Sequence, residues 1–280
     1  MSTRATTEAY TPKVRHVVRQ LYDREMDFNC FGRAPVGTYM IATIPRSGST
    51  YCAIRLWQTG LLGAPMEYLN FRIMGDLFHR LGYVADEDGH IPSGQVSDYW
   101  SDVQRLRTSP NGMFGYKMFT SNYVEIAKKY PDFLQQITPN YVIYLIRRDL
   151  LGQAMSYSRA QRSKVWFADV ANTPEIGYDY AHIKQCIKAI EGQRQCWEDT
   201  FRYTGVEPIR IFYEDLMAPE STCVETVLAA MGIEKVPGRV VDIPMIKRQT
   251  DGLSKDWRER FLEDLARDPE ISEPLNAVIA

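Results

Sequence analysis

The segment Tyr39–Thr50, YMIATIPRSGST, decides the fold class because it joins an apolar strand pattern to a short polar turn. The apolar run at 40–44 suits a buried parallel strand, which Pro45 would end. Gly48 permits a positive φ angle inside the turn, and a helical pattern follows at 51–58. The free backbone N–H groups at the start of that helix would face the turn. The segment therefore predicts a strand, a turn and a helix arranged around an anion site.

The cation of this turn is Arg46, and its position differs from that of the lysine in a nucleotide triphosphate P-loop. Arg46 precedes Gly48, and the GK[ST] ending of a nucleotide triphosphate P-loop is missing. Arginine offers a planar fork of donors that suits bidentate contact with an oxyanion. The alternative is an ordinary strand-to-helix turn in which Ser49 or Thr50 caps the helix.

Strand and helix patterns alternate along the rest of the chain. Further strands are predicted at 112–119, 141–146 and 208–213, and helices at 149–162 and 180–203. This alternation predicts an α/β protein with a P-loop-like three-layer fold, in which helices flank a central, mainly parallel sheet.

The chain is expected to form one domain over residues 1–280, with residues 1–36 as an N-terminal helical extension. It has 280 residues, is 45% hydrophobic, and shows no linker, repeat or low-complexity stretch. A helix from Pro12 to about Met26 is predicted to dock its apolar stripe onto the domain. Residues 82–95 are predicted to form an exposed loop.

Composition excludes several function classes. The net charge of −2 argues against a nucleic-acid binder, so any anion site must be local. The N-terminus lacks an apolar signal region and no stretch has the length of a membrane span, which favours a soluble cytoplasmic protein. Five cysteines and four histidines are scattered without metal-ligand spacing, so no metal site is expected.

A second group of polar residues follows the strand at 141–146. Arg147 and Arg148 stand at its end, and Ser156 lies on the next predicted helix. Because ligands gather beyond the carboxyl ends of strands in open α/β sheets, these residues are expected to share a ligand with the turn at Arg46. The alternative is a solvated surface pair of arginines.

These two motifs resemble those of the sulfotransferases that use 3′-phosphoadenosine 5′-phosphosulfate (PAPS), most closely the bacterial carbohydrate branch typified by trehalose 2-sulfotransferase. The 5′-phosphosulfate loop of the family is matched by Arg46, Ser47, Gly48, Ser49 and Thr50. Its 3′-phosphate motif is matched by Arg147 and Ser156. Weaker matches are GAPMEYLN at 63–70, GYK at 115–117, and KRQTD at 247–251.

The resemblance implies transfer of the sulfuryl group of PAPS to a hydroxyl of a carbohydrate or glycolipid acceptor, without a metal. Glu67 is the implied base, Arg46 and Lys117 are the implied catalytic cations, and Arg248 and Gln249 are expected to close over the nucleotide. Nucleic acid is not an expected partner, and a homodimer is kept as an open alternative to a monomer.

The sequence also allows other roles for several of these residues. Glu67, expected to be unpaired, could be an ordinary solvated loop carboxylate, with His79 and His90 of a mobile substrate loop as rival bases. Lys117 could instead reach water from an edge strand. Trp166 could stack on adenine or pack in the core.

Two rival functions come from other classes. A P-loop-type nucleotide kinase would share the architecture, but it would need a lysine after the glycine and an acidic strand end, for which the sequence at 211–215 is a poor match. A non-catalytic nucleotide-binding protein is the other, although it would have no use for a carboxylate beside the bound anion.

Overall fold

A parallel sheet forms the centre of the molecule. The computed structural model describes residues 17–28, 34–166, 174–236, 241–245 and 253–268. Within these ranges the strands are β1 Gly37–Thr43, β2 Met113–Phe119, β3 Tyr141–Ile146 and β4 Ile209–Phe212. They lie in the order β2-β1-β3-β4, and every neighbouring pair is parallel.

Helices connect and flank the strands, which confirms the predicted α/β class. The described helices are α1 Val17–Gln20, α2 Ser49–Gln58, α3 Gly75–Leu81, α4 Val96–Arg107, α5 Thr120–Lys129, α6 Leu150–Ser163, α7 Tyr180–Thr204, α8 Tyr213–Leu216, α9 Cys223–Ala230 and α10 Leu253–Arg267. Short 3₁₀ turns lie at Arg24–Met26, Phe71–Ile73, Ser93–Gln95 and Pro131–Phe133.

The strand order creates a crevice next to β1. The chain passes from β1 to β2 on one side and then returns to β3 on the other side of β1. The connections that follow β1 and β3 therefore diverge, and this switch point is where open α/β sheets bind their ligands. Residues 39–43 of β1 are buried without interruption, as expected of a central parallel strand.

The predicted N-terminal helix is shorter than expected within the described residues. Helix α1 ends at Gln20, and a turn and a 3₁₀ turn replace the rest of the predicted helix to Met26. The side chain of Arg107 donates to the carbonyl oxygens of Leu21 and Met26, at 2.9 and 3.3 Å. Because those carbonyls point at a buried guanidinium, they do not accept helical hydrogen bonds. The docking of the apolar stripe is confirmed by the burial of Val18 and Leu21.

The region 71–111 contains helices α3 and α4 and a buried aromatic cluster. Helices α3 and α4 enclose an aromatic cluster in which Phe71, Phe78 and Tyr99 are buried with ring centroids 5.1–6.1 Å apart. Most residues at 82–95 are exposed, as predicted. The contact between Phe78 and Tyr99 packs α3 against α4.

Candidate active site

The polar turn between β1 and α2 lies at the switch point of the sheet. Gly48 is the residue that caps α2, with φ of 81°, so neither Ser49 nor Thr50 is the cap. Both of these hydroxyl residues are buried in the first turn of the helix. Arg46 also has a positive φ, 66°, which is uncommon for a residue other than glycine. The backbone therefore curls around the space in front of the helix N-terminus.

Hydrogen bonds with neighbouring residues of the sheet and helices hold the turn in place. Ser47 Oγ lies 2.6 Å from Thr43 Oγ1, and the indole N–H of Trp197 donates to the carbonyl oxygen of Thr43 at 3.0 Å. The side-chain amide of Gln153 donates to the carbonyl oxygen of Pro45 at 2.9 Å. Helices α6 and α7 thus fix the turn, which is what a preorganised anion site requires.

Tyr213 covers Gly48 from the start of α8. A Cβ atom added at Gly48 would collide with Cδ2 and Cε2 of the Tyr213 ring. The same ring lies under the guanidinium of Arg147, 5.1 Å from the ring centroid to Cζ. The sequence motifs did not point to Tyr213, although its position directly after β4 could have suggested a residue at this sheet edge.

Replacing Gly48 tests whether the turn is a binding site. We expect Gly48→Ala to lower stability by about 1–2 kcal/mol, because the left-handed backbone is strained for a residue with a Cβ atom. Gly82→Ala is the matched control, since Gly82 has the same φ of 81° and open space where its Cβ would lie. Gly82→Ala should show the backbone cost alone in urea unfolding, and Gly48→Ala should lose more stability because its Cβ also collides with the Tyr213 ring. Only Gly48→Ala should also weaken nucleotide binding in calorimetry, because the Tyr213 ring must move.

Arg46 joins the two sequence motifs. Its Nε donates to Ser156 Oγ at 2.9 Å, and its Nη1 donates to the carbonyl oxygen of Trp166 at 2.5 Å. The turn after β1 is thus linked directly to the helix after β3. Burial, with the positive charges of Arg147 and Arg159, lowers the pKa of Arg46 to about 10. A bound anion would relieve this repulsion.

Arg147 faces the same crevice, whereas Arg148 does not. Arg147 Nη1 donates to the carbonyl oxygen of Arg46 at 3.4 Å, and Nη2 lies 3.2 Å from Asp149 Oδ2. Its buried Nε has no hydrogen-bond partner among the described residues. Arg148 is exposed and pairs with Asp215 at 2.6 Å. The interpretation as a solvated pair is thus wrong for Arg147 and right for Arg148.

Glu67 and Lys117 form a buried ion pair beside the turn. Lys117 Nζ lies 2.7 Å from Glu67 Oε1 and donates to Thr50 Oγ1 at 3.0 Å. The Asn70 side chain donates to Glu67 Oε2 at 2.9 Å. The lysine side chain is 0% exposed and that of Glu67 10%. The expectation of an unpaired carboxylate was wrong, and so were the alternatives of a solvated Glu67 and of a Lys117 that reaches water.

The backbone explains why this pair forms. Met66 bridges to Tyr116 of β2 in parallel fashion, and the Lys117 N–H donates to the Met66 carbonyl oxygen at 2.9 Å. This short extension of the sheet places residue 67 beside residue 117. Nothing in the local sequence at 63–70 indicates that register, and no sequence pattern points to Asn70.

The remaining predicted residues lie elsewhere. His90 is buried with Nε2 2.9 Å from Glu125 Oε1, and His79 is exposed near the end of α3. Trp166 is 39% exposed and so is not a core residue, and its ring centroid lies 6.1 Å from that of Tyr157. Arg248 and Gln249 lie outside the described residues.

The chain is similar to known proteins over most of its length. The model of the family described as Stf0 sulphotransferase matches residues 38–264. The chain belongs to this family. It is 29% identical over 259 residues to a trehalose 2-sulfotransferase of Mycolicibacterium smegmatis, covering 82% of this chain and 96% of that protein. It is 25% identical over 261 residues to one of Mycobacterium tuberculosis, covering 83% and 97%.

Two solved structures are also similar. One is a sulfotransferase from Alicyclobacillus acidocaldarius, with 16% identity, a TM-score of 0.43, and coverage of 88% of this chain and 96% of that chain. The other is the sulfotransferase domain of the Synechococcus PCC 7002 olefin synthase, with 16% identity, a TM-score of 0.39, and coverage of 84% and 96%.

The described residues contain neither a membrane-spanning helix nor a cluster of metal ligands. None of their helices is long and apolar enough to cross a membrane. In the same part of the chain, no group of three or more His, Cys, Asp or Glu residues could hold a metal ion.

Proposed function

We propose that this sulfotransferase moves the sulfuryl group of PAPS to a hydroxyl of a carbohydrate or glycolipid acceptor. One observation supports this most directly: the cationic turn at the switch point stands next to a buried carboxylate, linked to it through Lys117. An anion site alone would suit a binding protein. A carboxylate one side chain away from it adds a group that can accept a proton.

The donor nucleotide would lie across the two motifs. The turn residues would bind its 5′-phosphosulfate through side chains and backbone N–H groups, namely Arg46, Ser47, Gly48, Ser49 and Thr50. Arg147, whose Nε has no hydrogen-bond partner among the described residues, would bind the 3′-phosphate together with Ser156. Because Arg46 donates to Ser156, it links the two phosphate sites. By family resemblance, Arg248 and Gln249 would close over the nucleotide.

The transfer itself would be an in-line displacement at sulfur. Glu67 would take the proton of the acceptor hydroxyl as its oxygen attacks. A carboxylate has about four lone-pair sites, so the bonds from Lys117 and Asn70 leave room for one more donor. Lys117 and Arg46 would stabilise the negative charge that develops on the sulfuryl and the leaving phosphate. No step in this scheme requires a metal.

The acceptor class is supported by the two mycobacterial relatives, both named for sulfation of trehalose. The decisive experiment incubates the protein with radiolabelled PAPS and a panel of acceptors: trehalose, glycolipids and lipopolysaccharide sugars. Label that moves to a sugar supports the proposal and identifies the acceptor. Tight PAPS binding with no transfer to any of them would favour the non-catalytic alternative.

The kinase alternative is weakened by the acidic residues after β4. Glu214 accepts hydrogen bonds from the backbone N–H groups of Arg148 and Asp149, at 3.1 and 3.2 Å. Asp215 is paired with Arg148. These carboxylates therefore stabilise the turn after β3 and are not free to hold the metal of a nucleotide triphosphate.

That residues 1–280 form one domain remains a prediction.

The desulfated product offers a direct test of the nucleotide. We expect 3′-phosphoadenosine 5′-phosphate (PAP) to raise the melting temperature in the presence of EDTA, because a ligand that binds only the folded state stabilises it by mass action. Adenosine 5′-monophosphate, which lacks the 3′-phosphate, is the control and should give a smaller shift. Strong stabilisation by Mg-ATP with no response to PAP would contradict the donor assignment.

A further inference from the structure

A short N-terminal segment, residues 18–28, is fixed to the domain although it precedes the family match at 38–264. Its main anchor is Arg107, which is 1% exposed and donates to the carbonyl oxygens of Leu21 and Met26. Arg107 Nε lies 3.0 Å from Asp27 Oδ1, and Asp27 also pairs with Arg80 at 2.6 Å. The segment is held by these ion pairs and carbonyl contacts, although the buried Nε atoms of Arg80 and Arg107 have no hydrogen-bond partner among the described residues.

The segment brings Tyr22 to the candidate base. The hydroxyl oxygen of Tyr22 accepts a hydrogen bond from the backbone N–H of Glu67 at 3.1 Å, in a buried position. The ring packs edge-on against Tyr68, with centroids 6.0 Å apart. Burial, and then the nearby Glu67 charge, raise the pKa of Tyr22 well above its usual value. The phenol therefore keeps its proton and stays a neutral hydrogen-bond partner.

We propose that residues 18–28 are part of the active site and that Tyr22 is a positioning residue for Glu67. This inference rests on the proposed role of Glu67 as the base. Tyr22 precedes the family match at residues 38–264, whereas Lys117 and Asn70, which contact the Glu67 carboxylate, lie inside it.

The geometry explains what Tyr22 contributes. Lys117 and Asn70 each hold one carboxylate oxygen of Glu67, and Tyr22 holds its peptide N–H. The other side of the same peptide is held by β2, since the Met66 carbonyl oxygen accepts from the Lys117 N–H at 2.9 Å. A buried N–H without an acceptor is unfavourable, so without the Tyr22 oxygen the peptide would tilt about this bond toward another partner. The tilt would displace the Glu67 carboxylate from the position that Lys117 and Asn70 define.

The variant Tyr22→Phe tests the proposal while leaving the ring packing intact. We expect kcat to fall by about 10- to 100-fold, because small displacements of a catalytic group have effects of that order. The Michaelis constant for PAPS should not change. The matched control is Tyr130→Phe, which removes a buried hydroxyl that donates to the Ile91 carbonyl oxygen at 2.6 Å. The control should lose similar stability and keep its kcat.

A double-mutant cycle separates this inference from the proposed function. If Tyr22 acts through Glu67, Tyr22→Phe combined with Glu67→Gln should lose no more kcat than Glu67→Gln alone. If the two losses in kcat multiply in the double variant, the inference on Tyr22 is wrong. It is also wrong if Tyr22→Phe keeps its kcat while Glu67→Gln is inactive. In both cases the proposed role of Glu67 as the base is unaffected. Normal turnover of Glu67→Gln would overturn the base and the inference together.

Discussion

Glu67→Gln should lower kcat by a factor on the order of 10²–10⁴ and leave the Michaelis constant for PAPS nearly unchanged. Glutamine keeps the shape of the side chain but cannot take the proton of the acceptor hydroxyl. A group needed only in the transition state changes kcat more than it changes donor binding. Steady-state kinetics with the best acceptor from the panel measures the effect. A kcat within a few-fold of the parent would remove Glu67 from the mechanism.

The ion pair with Lys117 requires a control for folding. Removing one member of a buried pair leaves an uncompensated charge and is strongly destabilising, whereas replacing both by uncharged groups is often tolerated. Glu67→Gln should therefore lower the melting temperature, and adding Lys117→Met should recover part of that loss. Recovery of stability would show that the loss comes from the unpaired lysine. Because Lys117 is itself a proposed catalytic cation, kcat is compared between the parent and Glu67→Gln alone, at a temperature well below the melting temperature of the variant.

Local patterns predicted the strands well because continuous apolar runs are typical of buried parallel strands. The run at 141–146 coincides with β3, and the predicted strand at 112–119 differs from β2 by one residue. The turn at Arg46–Thr50 was also predicted, since Pro45 ends the apolar strand pattern and Gly48 permits the positive φ that the structure shows.

The contacts around the site could not be predicted because they depend on residues far apart in the chain. The ion pair of Glu67 follows from a single bridge between Met66 and Tyr116. Arg107 looks like a surface residue at the end of an amphipathic helix, yet it is buried against carbonyls more than 80 positions earlier in the chain. Arg46 reaches Ser156 from a backbone with positive φ, a conformation that local sequence does not specify for arginine.

Arg147→Ala should weaken PAPS binding by about 2–4 kcal/mol, as expected when a charge-assisted contact to a desolvated phosphate is lost. The guanidinium lies between the Arg46 carbonyl oxygen, Asp149 and the ring of Tyr213, so its orientation is fixed before a ligand arrives. The neighbouring Arg148→Ala is the matched control. Because Arg148 is exposed and paired with Asp215, its removal should leave affinity unchanged.

A second ligand tests whether Arg147 contacts the 3′-phosphate or the phosphosulfate. Adenosine 5′-phosphosulfate lacks the 3′-phosphate, so it should bind the parent protein more weakly than PAPS and lose little further in Arg147→Ala. Calorimetry measures the binding of PAPS and of adenosine 5′-phosphosulfate to the parent protein and to Arg147→Ala, which gives a thermodynamic cycle. If Arg147 contacts the 3′-phosphate directly, the affinity lost by removing the phosphate and the affinity lost by removing the arginine are not additive. Additive losses would place Arg147 away from the 3′-phosphate. The cation for that phosphate would then be Arg46, which already donates to Ser156.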